Sequence, residues 1–418
     1  GSIDLDAPYR FHFQGTDRRL DLRLVPETVP VPRVESTLTF DYDVTGQFET
    51  PSITGTARLD ESAFLGMRIG AGATGFIDTS ATPVRYTGEG DVSELDLGRV
   101  GKGLDVAWMQ DPRWAGVVAG HFHADGAGGE AASMALRGGG RLLRADLFGG
   151  RLADADVTVN VADGSVDGSF DGAFSDVDPA VAFADARIAG SLTGSARARM
   201  SVHHLMIETP DMSDYDVDGT MDLQSSTVAG LVLDRAAMSA GLADGAVDVA
   251  RLEVSGPKIE GSGSGHVDVG AEGRSQFDYD ITRADLSLAA ERMGRAISGQ
   301  IQTKGTMTGP VTALLFAGDA TIRELHAGTT RALSAVGPYM ITVPWDDPGR
   351  SAGQVTGRAT FVEAMGREMP EVTGTVSYDD ARVQGTLTLP EGTISGDLVL
   401  ADDWHSAQLS QLAIATSR

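Results

Sequence analysis

The chain reads as an all-β protein, a long repeat-built β-sheet with a few short helices. Three observations predict this. Apolar and acidic residues alternate with period two in Phe40-Asp41-Tyr42-Asp43-Val44 and again in Phe277-Asp278-Tyr279-Asp280-Ile281. With 53 Gly and only 6% aromatics, the composition favours strands and tight turns over large helical cores. A phrase of one apolar residue followed by Thr-Gly recurs, as at Val44-Thr45-Gly46, Ile53-Thr54-Gly55, Leu192-Thr193-Gly194 and Val372-Thr373-Gly374.

A strand sends successive side chains to opposite faces, so such alternation gives one apolar and one wet face. The candidate apolar-face residues are Leu38, Phe40, Tyr42 and Val44, then Val157, Val159 and Val161, then Phe277, Tyr279 and Ile281. Near the end come Val383, Leu387 and Leu389, followed by Ile394, Leu398 and Leu400. In the Thr-Gly phrase, Thr suits the strand and Gly a bend, a bulge or a close backbone approach. At about 11 residues per strand and turn the chain supplies roughly 35–40 strands, stacked at ~4.8 Å.

Longer segments repeat as well. GHFHADG at 120–126 aligns with GQIQTKG at 299–305, and each follows an acid-leucine step, at 93–104 and 283–294. Each step predicts a helix of two or three turns, the first with Leu95, Leu97, Val100 and Leu104 on one side; 175–183 is a weaker third copy. A strand pair precedes each, at 75–90 and 265–280. Repeats at this scale mean stacked units sharing one apolar surface. We divide the chain into N-terminal strands and a Pro-rich connection (1–33), repeat units at 34–145, 146–220 and 221–335, and C-terminal strands of the same sheet (336–418). Pro-rich stretches at 26–32 and 338–348 read as loops at unit boundaries.

A net charge of −26 excludes nucleic acid, because phosphate binding needs clustered Lys and Arg. Cysteine is absent, which fits an oxidising compartment. No apolar run approaches the roughly 18–20 residues that span a bilayer. The opening Gly1-Ser2 reads as a cloning scar, and the chain as a soluble piece of something longer.

Several motifs invite chemistry and lack its context. Asp214-x-Asp216-x-Asp218-Gly219 opens like a calcium loop, but its twelfth position is Ser225 where a bidentate Glu is needed. GAGATG at 70–75 matches a dinucleotide fingerprint, yet strand-type residues and Pro83 follow instead of a helix. His121, His123 and Asp125 share one strand face, but the matching repeat positions are Gln300, Gln302 and Lys304, so the column reads as a solvent face. No Gly-x-Ser-x-Gly elbow or His-Glu-x-x-His helix is present. The sequence therefore predicts no enzyme, catalytic residue, metal or cofactor.

The acid-leucine step, short helix and G-x-φ-x-x-x-G strand, as in GDVSELDLGRVGKGL…WAGVVAGHFHADGAGG and YDITRADLSLAAERMGRAISGQIQTKGTMTGPV, resemble the AsmA-like family, especially its TamB branch. These are similar to the bridge-like lipid transfer proteins. The resemblance covers most of 34–400 and implies a U-shaped hydrophobic trough in the periplasm of a Gram-negative envelope. It implies a conduit for phospholipid acyl chains between inner and outer membrane, supporting outer-membrane biogenesis. The implied partners are phospholipid, the inner membrane through an N-terminal anchor, and an outer-membrane barrel protein through C-terminal segments, neither segment being matched here. On that reading the apolar-face residues above bind lipid. The alternative is a structural or adhesive β-solenoid with a filled core and no cargo.

Overall fold

The computed structural model describes the chain apart from residues 26–32, 50–51, 129–133, 206–210, 269, 271–272, 289, 291–295, 348–349, 365, 380–381, 401–406 and 417–418, and apart from the side chains at 107, 108, 212, 400 and 407. The Pro-rich stretch 26–32 thus lies outside the described residues, as do 289 and 291–294 of the helix expected over 283–294; of the remainder, 283–285 belong to a strand and 287, 288 and 290 are helical. The chain is all-β and divides into two units, Gly1–Gly230 and Leu231–Arg418.

The first unit holds β1 (Ser2–Ile3), β2 (Arg10–Leu20), β3 (Ser36–Gln47), β4 (Ser52–Leu59), β5 (Ser62–Phe64), β6 (Met67–Ile69), β7 (Thr74–Asp78) and β8 (Arg85–Asp96). After helix α1 (Leu97–Leu104) follow β9 (Val117–Ala127), β10 (Ala135–Leu147), β11 (Gly150–Ala162) and β12 (Ser165–Val177). Helix α2 (Pro179–Phe183) then leads to β13 (Gly190–Val202) and β14 (Tyr215–Val228). The second unit holds β15 (Leu231–Ala243), β16 (Ala246–Ser255), β17 (Ile259–Asp268), β18 (Ser275–Asp285), β19 (Ile297–Gly309) and β20 (Leu314–Ala327). It ends with β21 (Thr330–Val343), β22 (Ala352–Ala364), β23 (Arg367–Asp379), β24 (Arg382–Leu389), β25 (Gly392–Leu400) and β26 (Ala407–Thr416). The expected segment boundaries at 145/146, 220/221 and 335/336 lie inside β10, β14 and β21.

Within each unit the sheet is an antiparallel meander, such as β10–β11–β12–β13 and β18–β19–β20–β21. One departure occurs in the first unit, where β4 and β7 bridge β3 to β8 over one stretch and the β5–β6 hairpin does so over another. The described residues form 26 strands, fewer than expected. Many are 12–14 residues long, and some turns need only two residues. Asp163-Gly164 and Asp244-Gly245 each close a hairpin with both residues at positive φ, the mirror-image turn that matches strand twist.

Strands bend at residues the sequence analysis did not single out. Left-handed φ occurs at Arg19, Glu94, Asp154, Asp176 and Glu324, beside register shifts in the ladders of β2, β8, β11, β12 and β20. These are β-bulges, which bend the strand and increase its twist. In each case the next residue is apolar: Leu20, Leu95, Ala155, Val177 and Leu325. The acid-leucine step at Glu94-Leu95 is therefore a bulge before it is a helix start. Strand β8 continues to Asp96, whose carboxylate caps α1 by accepting from the Arg99 amide at 2.9 Å. Of the face expected on that helix, Val100 is buried with Val34 and Leu65, Leu95 stays on the strand, and Leu104 is exposed. Another correction concerns Pro338. It lies inside β21 opposite Asp319, while the ladder to β22 skips Gly337 and Pro338, because proline has no amide hydrogen to give.

Buried side chains form small clusters. In the first unit Val118, Leu142, Ala145, Leu147 and Ala155 pack together beside the bulges of β8 and β11. In the second, Ala332, Val362 and Val372 do so. The accessible surface is 24552 Å² for 43.6 kDa. Two separate compact globules of half that mass would expose about 18,500 Å² in total. Most of the apolar residues are thus spread over sheet faces instead of being enclosed. Among the described residues no helix is long and apolar enough to cross a membrane.

Candidate functional site

Register decides which residues share a face. In the first unit one row crosses neighbouring strands through Phe13, Val44, Gly55, Ile77, Tyr86, Gly126, Leu136 and Val161. It continues through Val166 and Val202 to Tyr215. In the second unit a row runs from Met238 through Leu252, Gly263, Tyr279, Gly305, Gly318 and Tyr339. It goes on through Val355, Val376, Gly385 and Gly396 to Leu412. Neither row contains a charge.

The predicted apolar residues fall on these faces. Leu38, Phe40, Tyr42 and Val44 lie on β3 and Val157, Val159 and Val161 on β11, all half-buried except Val161, which is buried. Phe277, Tyr279 and Ile281 on β18 are half-buried, as are Val383, Leu387, Leu389, Ile394 and Leu398 on β24 and β25. The side chain of Leu400 lies outside the described residues. A single row joins Phe277, Met307, Phe316, Ile341, Gly353, Tyr378, Val383 and Leu398. Sequence-distant segments therefore share one surface within that unit.

The glycines explain how these faces become smooth. A Cβ on Gly15 would sit 2.8 Å from the Tyr42 hydroxyl, and one on Gly126 would fall among ring atoms of Tyr86, whose hydroxyl lies at 2.8 Å. The Tyr279 hydroxyl covers Gly305 at 2.7 Å, and the Phe277 ring covers Gly263. Each ring reaches over a neighbouring strand into space that only a missing side chain leaves open, the aromatic rescue of a strand glycine. GHFHADG and GQIQTKG both end on such a glycine. Between Tyr42 and Val159 the row narrows to Ala57, Gly75, Gly88, Ala124 and Gly138. That lane of small residues is roughly 20 Å long at the usual strand spacing.

A cluster of three hydroxyls stands on the second unit's apolar face. Tyr279 and Tyr339 lean toward each other over Gly305 and Gly318, and their hydroxyls meet at 2.6 Å. The Thr303 hydroxyl lies 2.7 Å from that of Tyr339. Burial, then the Tyr339 hydrogen bond, pushes the Tyr279 phenol well above its usual range. Burial also raises Tyr86.

The opposite faces carry charge. His12 and Gln14 bond the Asp43 carboxylate at 2.7 Å each, and these bonds, Gln14's first, hold it below the usual range. His121 contacts Asp91 at 2.9 Å and Glu89 at 3.3 Å, which raises its pKa, Asp91 contributing most. His203 is raised chiefly by Asp216, 2.9 Å away. Lys304 sits between Asp280, 3.4 Å away, and Asp319 in the ladder. His121, His123 and Asp125 all point to solvent, and among the described residues no group of three His, Cys, Asp or Glu is arranged to hold a metal. The polar faces include some apolar residues, Phe76, Val336 and Met340.

Sequence reasoning missed Phe11, Phe13, Tyr86, Phe122, Phe316 and Tyr339 on the apolar faces. Tyr86 and Phe122 carried the period-two signal; Tyr339 was hidden by the proline before it. No family model, no curated protein and no solved structure matches the chain.

Proposed function

We propose that this chain is a section of a lipid conduit, each unit curling its sheet into part of a trough whose apolar face carries phospholipid acyl chains. The observation that carries this reading is the pair of uncharged rows, one per unit, most of whose large side chains stay partly exposed, Val161 and Val202 being the buried exceptions. Bulges at one end of many strands supply the bend that a trough requires. Rings laid over glycines keep the floor level, and a level floor has few deep traps for a sliding chain. Each methylene removed from water contributes ~0.8 kcal/mol, while headgroups remain in water and the acidic outer face keeps copies apart. Movement is passive, with no step of bond chemistry. The resemblance to AsmA-like proteins supports reading such a conduit as periplasmic, running between an inner-membrane anchor and an outer-membrane barrel.

The test uses the one-residue step of β18. A photo-crosslinking residue in place of Tyr279 captures phospholipid, whereas one in place of Asp278, on the other face, does not. Equal capture from both positions, or from neither, refutes the proposal; lipid-free protein with both positions inert favours a filled structural solenoid.

A further inference from the structure

The hydroxyls of Tyr279, Tyr339 and Thr303 are unlike anything around them. In their row the neighbours are Gly263, Gly305, Gly318 and Val355, and beside it run Phe277, Met307 and Phe316. Three hydroxyls own three O–H donors. The two hydrogen bonds among them, with Tyr339 in the middle, use two. One donor is left over whichever way the two bonds run, and the elevated phenol keeps its proton. Thr303 is only 9% exposed, and the two rings are fixed over glycines, so the group is preorganised. An acyl chain covering it would strand that donor away from water, unless the cargo brings an acceptor.

We propose that this triad is a binding node for an acyl carbonyl oxygen, taking the ester carbonyl of a diacyl lipid on the second unit's floor. The proposal rests on the lipid-conduit reading and adds a place where cargo pauses in a defined register. Carbonyl oxygen accepts strongly in the plane of the ester, whereas an ether oxygen is a poor acceptor; pure hydrocarbon offers nothing. Among the described residues the first unit's uncharged row has no such cluster: its two tyrosines, Tyr86 and Tyr215, are separated by Gly126, Leu136, Val161, Val166 and Val202.

The experiment compares two glycerophosphocholines of identical chain length, one ester-linked and one ether-linked, each offered to the full chain. A photo-crosslinking residue replaces Phe316, whose ring lies 6.1 Å from that of Tyr279; a control replaces Val159 in the other unit. Capture at position 316 should favour the ester lipid about tenfold, equivalent to about 1.4 kcal/mol, and capture at 159 should show no preference. Combining Tyr279→Phe, Tyr339→Phe and Thr303→Val should bring the ester-to-ether capture ratio at 316 to about one; Tyr279→Phe alone, a smaller change, should reduce it. Equal ester and ether capture at 316 in the unsubstituted chain, or a preference that survives the triple substitution, overturns the node while the conduit stands. Capture of free hexadecanoic acid in place of the ester overturns the ester assignment. Capture of no lipid at either position overturns the conduit and the node together.

Discussion

Replacing Gly126 by Ala tests whether the aromatic rings depend on the glycines beneath them. An added Cβ would lie 2.8 Å from the Tyr86 hydroxyl and closer still to two ring carbons. The ring must move outward by about 1 Å or leave the floor, and overpacking of this kind costs about 1–3 kcal/mol. Gly88, on the adjacent strand and the same face, is the control. A Cβ there meets nothing nearer than the Thr74 carbonyl at 3.8 Å, so Gly88→Ala should be neutral or stabilise by about 0.4–1 kcal/mol through the unfolded chain. The two substitutions each add one methyl, at equivalent sites, and should differ by about 1–4 kcal/mol. Hydrogen exchange of β8 and β9 amides reads the local free energy without assuming that two units unfold together. In a Tyr86→Val background the Gly126→Ala penalty should largely vanish, a coupling that a double-mutant cycle measures directly. Equal effects at Gly126 and Gly88, or a penalty unchanged without the Tyr86 ring, would show that the rings do not need the glycines.

Two further outcomes follow from the bulges and the polar face. Asp154→Val places a β-branched residue at a φ of 50° and should destabilise by roughly 1–2 kcal/mol, while Asp154→Gly should stay within about 1 kcal/mol of the parent; thermal unfolding distinguishes them, and equal loss from both would mean the bulge is not strained. The imidazole of His203 should titrate above 6.5 by NMR, and Asp216→Asn should bring it back down. Its raised value adds stability that is fully present below the unfolded value of 6.5 and lost as pH rises through the folded value; a titration at or below 6.5 would contradict the geometry.

The alternation in FDYDV and FDYDI was enough to assign strands, because side-chain direction in a strand depends only on parity. It was also enough to separate Phe40 and Tyr42 from Asp41 and Asp43, and to make the His121 column polar. Net acidity and the absence of helical periodicity likewise needed no coordinates. What parity cannot give is register. That Tyr86 lies over Gly126, or that Tyr279 reaches Tyr339 across Gly305 and Gly318, depends on how strands slide past one another, and pairing between residues 60 positions apart leaves no local trace. Bulges escaped for a related reason: Glu94, Asp154 and Asp176 are ordinary strand-edge residues until a shift in the partner ladder forces them into left-handed φ. Pro338 misled because a proline forbids one ladder hydrogen bond, not a strand, and the second unit simply omits the pairs it cannot make. The sequence by itself determined the face of residues in clearly alternating strands, such as Phe40, Tyr42, Phe277 and Tyr279; only the tertiary structure added Phe13, Phe316 and Tyr339 to those faces and decided which residues meet, because faces are set along one strand and surfaces are set between many.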